Sequence, residues 1–164
     1  MSYVKGNRKI IIFDFDGTIY LQGAFINEVN PIALCILRFL VEQGYVISII
    51  TGRHCSQRTF IIDLLMSNGV KISSTNFYCR ERDEPEVEWK RKVFETFLDR
   101  VHSEGSVIYE YHEDNLSVLD FVSRLDKDIC LYLYTNGLPV ILRKTNRCVS
   151  EKMIENCVKE KYGI

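Results

Sequence analysis

The chain has 164 residues, of which 46% are hydrophobic and 26% charged, and its formal net charge is -1. That length suits one domain over residues 1–164, able to bury about 70% of its unfolded surface. The near-neutral balance excludes the global positive field that broad nucleic-acid coating needs. The polar start, Met1 to Lys9, runs directly into an apolar segment and does not resemble a signal peptide. No apolar run approaches the roughly 18 residues that span a bilayer, so no membrane partner is expected.

Lys9 to Phe13 reads as a first, buried parallel strand. Thr18 to Phe25 reads as a short flap turning at Gly23. Asn27 to Gln43 has helical periodicity, with Ile32, Ile36, Phe39 and Leu40 on one face and Pro31 in its first turn. Tyr45 to Ile50 is a β-branched second strand. His54 to Asn68 is a second helix with Phe60, Ile61, Leu64 and Leu65 turned inward, and Asn76 to Cys79 a weaker third strand.

A charged loop, Arg80 to Glu88, leads into a helix over Glu86 to Ser103. Ser106 to Tyr111 is strand four, Asn115 to Leu125 a helix, and Ile129 to Tyr134 strand five, followed by an Asn136-Gly137 turn. The last stretch, 138–164, holds a further edge strand and a helix from about Ser150 to Lys161. This alternation predicts an α/β, Rossmann-like three-layer sandwich around a parallel sheet of about five strands. Ligands of such sheets bind beyond the carboxyl ends of the strands, so chemistry should follow each strand.

The six cysteines, Cys35, Cys55, Cys79, Cys130, Cys148 and Cys157, are scattered and form no C-x-x-C pair. They read as small core residues in a reducing, cytoplasmic setting rather than as a zinc ribbon or a disulfide scaffold. His54, His102 and His112 are ungrouped and read as surface or strand-end residues.

Phe13-Asp14-Phe15-Asp16-Gly17-Thr18 carries the chemistry. Carboxylates two residues apart at a strand end lie on one side. One can attack phosphorus while the other moves a proton. Gly17 permits the turn, and Thr18 offers a hydroxyl and an N–H. After strand two, Thr51-Gly52-Arg53 offers a hydroxyl, backbone N–H groups and a cation. After strand four comes His112-Glu113-Asp114-Asn115, and before it Trp89-Lys90-Arg91-Lys92. Lys90 and Lys92 lie about 200° apart around a helix, so only one of them can face the site.

Together these strings resemble motifs I to IV of the haloacid dehalogenase (HAD) superfamily over roughly residues 9–134. Thr-Gly-Arg, Trp-Lys and Tyr-x-Glu-Asp are similar to its Swiss Army Knife RNA-repair-like branch. Members of that branch often read Tyr-Glu-Asp-Arg where this chain has His112-Glu113-Asp114-Asn115. The resemblance implies a phosphomonoester hydrolase with Asp14 as nucleophile, Asp16 as general acid/base, and Thr51 and Lys90 stabilising the transferring group. It implies substrate contacts from Thr18, Gly52 and Arg53. It also implies Mg²⁺ held by Asp14, the backbone carbonyl of Asp16, and Asp114, with Glu113 as an outer partner or turned away.

Neither inter-motif gap leaves room for a large cap domain. An uncapped site is open to a nucleic-acid end and equally to small phosphomonoesters, including nucleotides. Arg80, Arg82, Lys90, Arg91 and Lys92 offer a basic rim, opposed by interleaved acids. Two alternatives to an enzyme stand beside this reading: a catalytically silent HAD-fold protein that binds a phosphorylated partner, and a receiver-like phosphoacceptor, which also uses a Mg²⁺-bound Asp in a parallel α/β sheet.

Overall fold

The computed structural model describes residues 7–163. Its centre is a six-stranded sheet. In chain order the strands are β1 (Lys9–Phe13), β4 (Val46–His54), β5 (Phe77–Arg80), β6 (Val107–Glu113), β7 (Cys130–Thr135) and β8 (Leu138–Arg143). Their spatial order is β5-β4-β1-β6-β7-β8. All neighbours are parallel except β7 and β8, which form a hairpin. Asn136 and Gly137 have φ of 51° and 83°, the left-handed pair that a tight hairpin turn requires.

The helices are α1 (Pro31–Glu42), α2 (Arg58–Ser67), α3 (Glu86–Ser103), α4 (Leu116–Leu125) and α5 (Glu151–Tyr162). Residues of β1 alternate between two cores. Ile11 and Phe13 pack with the buried residues of α1, α2 and α5, while Ile10 and Ile12 pack with those of α3 and α4. The three-layer α/β fold expected from the sequence is thus present, with an antiparallel sixth strand added.

Several local expectations are corrected. Asn27–Val29 is not helix but strand β3, paired with β2 (Tyr20–Gln22) as a flap hairpin. The residue before a proline disfavours the helical region, so α1 begins at Pro31 and Asn30 caps it. The buried Asn30 side chain accepts from the Ile32 N–H and donates to the carbonyls of Thr18 and Gly137 at 2.8 Å each. It thereby ties the flap to the β7–β8 turn. Phe39 and Phe60, expected to face inward, are 40% and 44% exposed.

The cysteine reading is also corrected. All six are paired: Cys35 with Cys157, Cys55 with Cys79, and Cys130 with Cys148. Partners lie 122, 24 and 18 residues apart, and spacing alone does not encode such connectivity. The inference of a reducing compartment therefore loses its basis. Cys35–Cys157 fastens α5 to α1, and Cys130–Cys148 fastens the approach to α5 onto β7. Among the described residues no helix is long and apolar enough to cross a membrane.

Candidate active site

The three central strands β4, β1 and β6 deliver Thr51, Asp14 and Glu113 to one edge of the sheet. The backbone N–H of Asp14 donates to the His112 carbonyl at 2.9 Å, which fixes the end of β1 against the end of β6. Asp14, Glu113 and Asp114 each present a carboxylate oxygen within 4.8 Å of the others. Gly17 has φ of 78°, and a Cβ there would lie 1.9 Å from Asp114 Oδ2, so only glycine lets the loop pass this carboxylate.

Lys90 is the lysine that meets this carboxylate cluster. It is 1% exposed, and its Nζ donates to Asp14 Oδ1 at 2.7 Å and to Glu113 Oε2 at 2.9 Å. Burial lowers its pKa, but Asp14 and Glu113 outweigh burial and leave it well above the ordinary value. Lys92, two residues on, points to solvent and pairs with Glu84. Burial first, then the Asp14 charge, raises Glu113 well above the carboxylate range. The same two causes push Asp114 up to about 6.

Three converging carboxylates share one buried ammonium, so the cluster is short of positive charge. Its donors are all oxygen, which suits a hard divalent cation such as Mg²⁺. Asp14, Glu113 and Asp114 are the side chains placed to hold one.

Asp16 sits beside this cluster in a bidentate pair with Arg53, Nε to Oδ2 and Nη2 to Oδ1, both 2.8 Å. The guanidinium lies 5.1 Å from the Phe15 ring centre, 5.4 Å from Tyr20 and 5.9 Å from Phe60. That explains why Phe60 faces outward: it completes a cage of rings around Arg53. Thr51 is buried, and its hydroxyl accepts from the Arg53 N–H at 3.1 Å. Thr18 is fully buried, and its carbonyl anchors Asn30.

Sequence reasoning missed three features. Glu113, read as an outer partner or turned away, belongs to the carboxylate cluster itself. Glu86 lies 3.6 Å from Lys90 Nζ, and a Cβ on Gly52 would meet its carboxylate at 2.2 Å. The i,i+4 spacing of Glu86 and Lys90 on one helix is the signal that marks it. His112 is not a surface residue. It is fully buried, stacked on Phe13 at 4.1 Å, and hydrogen-bonded to Glu110 and Tyr134.

The expected basic rim is only partly matched by acids. Arg80 donates to the carbonyls of Gly52 and Glu84, Arg91 faces Glu95, Lys92 faces Glu84, and Lys90 is inside. Arg82 is exposed.

By sequence, no family model and no curated protein matches the chain. By structure it is similar to two chains of the Pnkp1/Rnl/Hen1 RNA repair complex. One has a TM-score of 0.63 at 17% identity and covers 77% of this chain and 46% of that one. The other has a TM-score of 0.60 at 19% identity and covers 72% and 40%. The chain thus spans less than half the length of either. It is also similar to the D,D-heptose 1,7-bisphosphate phosphatase of B. bronchiseptica, solved with magnesium and phosphate. There the TM-score is 0.54 at 13% identity, over 95% of this chain and 99% of that one. With its mostly parallel α/β sheet, the chain has the HAD-like fold.

Proposed function

We propose that the chain is a Mg²⁺-dependent phosphomonoester hydrolase acting through an aspartyl-phosphate on Asp14. The observation that carries this reading is the buried contact of Lys90 with Asp14 and Glu113, beside Asp114 and next to Asp16. Such an arrangement positions a nucleophile and holds charge for phosphoryl transfer. The magnesium and phosphate in the heptose bisphosphate phosphatase agree with it.

In this reading the Asp14 oxygen not bonded to Lys90 attacks phosphorus, and the ester P–O bond breaks. Asp16 gives its proton to the departing oxygen. Asp16 then takes a proton from water as that water attacks phosphorus, and the bond to Asp14 breaks to release inorganic phosphate. Lys90 and the Thr51 hydroxyl stabilise the phosphoryl oxygens. Arg53 releases Asp16 when a phosphate enters, with the Gly52 backbone beside it, while Thr18, fully buried, acts on the site through the flap that its carbonyl ties to Asn30. Asp14, Asp114, Glu113 and the Asp16 main-chain carbonyl would hold Mg²⁺. When bound, the ion would neutralise charge on the transferring group.

The test is phosphate release from p-nitrophenyl phosphate, with Mg²⁺ and with EDTA, for wild type and Asp14→Asn. Metal-dependent turnover that vanishes in Asp14→Asn is expected. Folded, Mg²⁺-binding protein without turnover on any phosphomonoester would replace the enzyme with a silent binder of a phosphorylated partner.

A further inference from the structure

We infer that the substrate is a small phosphomonoester whose leaving group is uncharged and bears hydroxyls beside an apolar face, a nucleoside or a sugar, and not the end of a polynucleotide. This rests on the phosphatase reading above. A groove of about 710 Å³ opens beside Asp16, Gly17 and Asp114, between the flap hairpin and the β7–β8 turn. That volume fits one small molecule. Leu21, Ile26, Leu116 and Leu133 are among its lining residues, which gives the leaving group apolar surface to lie on.

The charge of the groove decides between the two classes. Its charged lining is Asp16, Glu28 and Asp114, and no lysine or arginine lines it among the described residues. Asp16 and Asp114 belong to the chemistry. Glu28 remains, beside Gln22 and Asn136. A carboxylate accepts hydrogen bonds from hydroxyls and repels a phosphate. A strand leaving the site through this groove would bring its next phosphate against Glu28 with no cation to meet it. Strand binding draws its affinity from lysine and arginine at phosphates. On the other side of the site Arg80 is held by two carbonyls, Arg91 faces Glu95 and Lys92 faces Glu84, while Arg82 is exposed between Glu81 and Asp83 in the chain. Arg53 is held by Asp16 and its cage of rings, placed for the reacting phosphate alone.

The experiment measures kcat/KM with Mg²⁺ on p-nitrophenyl phosphate, nucleoside 3′- and 5′-monophosphates, and sugar phosphates. The same nucleotides are also presented at the ends of short DNA and RNA oligonucleotides, at low and physiological salt. A nucleotide or sugar phosphate should exceed the matching oligonucleotide by at least about tenfold, with little change on adding salt. Which of the two leads identifies the source of the hydroxyls. Glu28→Lys should move the ratio toward the oligonucleotide by about tenfold at low salt.

An oligonucleotide preferred over its mononucleotide, with a preference that fades as salt rises, overturns the inference and leaves the phosphatase standing. So does a Glu28→Lys ratio that does not move. p-Nitrophenyl phosphate cleaved faster than every nucleotide and sugar phosphate overturns it too. No turnover of any ester overturns the phosphatase reading, and the inference with it.

Discussion

Lys90 Nζ stands 2.7 Å from Asp14 Oδ1 with both side chains almost fully buried, at 1% and 4% exposure. A charge pair so far from water survives because each partner has further bonds: Lys90 reaches Glu113, and the Asp14 N–H is fixed by His112. Removing the ammonium leaves buried carboxylates uncompensated. Lys90→Met should therefore abolish turnover and cost about 3–5 kcal/mol of stability. Lys92→Ala, at a surface pair, should leave turnover intact and stability within about 0.5 kcal/mol. Urea unfolding and p-nitrophenyl phosphate assays of the two variants check both. Equal effects at the two positions would refute the assignment.

The frame of this site is legible in the sequence because it is local. Asp14, Asp16 and Gly17 share one turn, and the apolar runs before Asp14, Thr51 and Glu113 mark strands whose ends must meet at the switch point. Long-range contacts are not legible. Neither the 122-residue reach of Cys35 to Cys157 nor the packing of Glu86 against Gly52 has a periodicity. The exposure of Phe60 and the burial of His112 escape the sequence for a related reason. Phe60 looks like a core residue until Arg53 claims its ring. His112, read as a surface or strand-end residue, does stand near the end of β6, but the stacking of Phe13 and Tyr132 that buries it is a long-range contact.

The raised pKa of Asp114 gives the metal a pH dependence. Burial and the Asp14 charge push it up to about 6. A protonated carboxyl is a poor ligand, so Mg²⁺ affinity should fall as pH drops below about 6. Binding between pH 5 and 7 should release protons, a signal that calorimetry in buffers of different ionisation enthalpy reads. The sign for metal-free stability is opposite to that of a salt-bridged acid. A carboxyl raised in the fold costs stability as pH climbs from its unfolded value through about 6. Asp114→Asn should then raise the metal-free melting temperature at neutral pH. After discounting for exposure, the gain is about 1 kcal/mol, or roughly 2–4 °C. The same variant should lose the extra stability that Mg²⁺ gives wild type. No rise without metal, or an undiminished Mg²⁺ effect, would refute this account.

The three disulfides make stability redox-dependent. Cys35–Cys157 closes the longest loop, 122 residues, and so restricts the unfolded chain most. Cys157→Ser should cost about 3–5 kcal/mol, and more than Cys148→Ser, whose bond closes 18 residues. Thermal melts with and without a thiol reductant test the set. A melting temperature unmoved by reductant, with free thiols then titrating, would show that the bonds contribute nothing to stability.

Glu110 docks the C-terminal helix. It is fully buried in β6, and its Oε2 accepts from the N–H groups of Val149 and Ser150 at 2.6 and 2.8 Å and from the Tyr132 hydroxyl at 3.1 Å. Its Oε1 accepts from the Ser150 hydroxyl at 2.5 Å, and His112 Nε2 lies 2.9 Å away. A carboxylate at the start of α5 also meets the positive end of the helix dipole. Burial raises its pKa, but the His112 and Ser150 bonds outweigh burial and leave it below the ordinary value. The sign follows from that lowering: the stabilisation is complete above the unfolded pKa and is lost as pH falls toward the lower folded value. Glu110→Gln keeps one acceptor oxygen where two are filled and puts an amide NH2 in the place of the other, so one set of its present donors loses its acceptor. It should cost about 3 kcal/mol at pH 7, flatten the loss of stability on acidification, and speed amide exchange through residues 151–162. An unchanged acid limb in urea titrations between neutral pH and about pH 3 would place the pH dependence elsewhere.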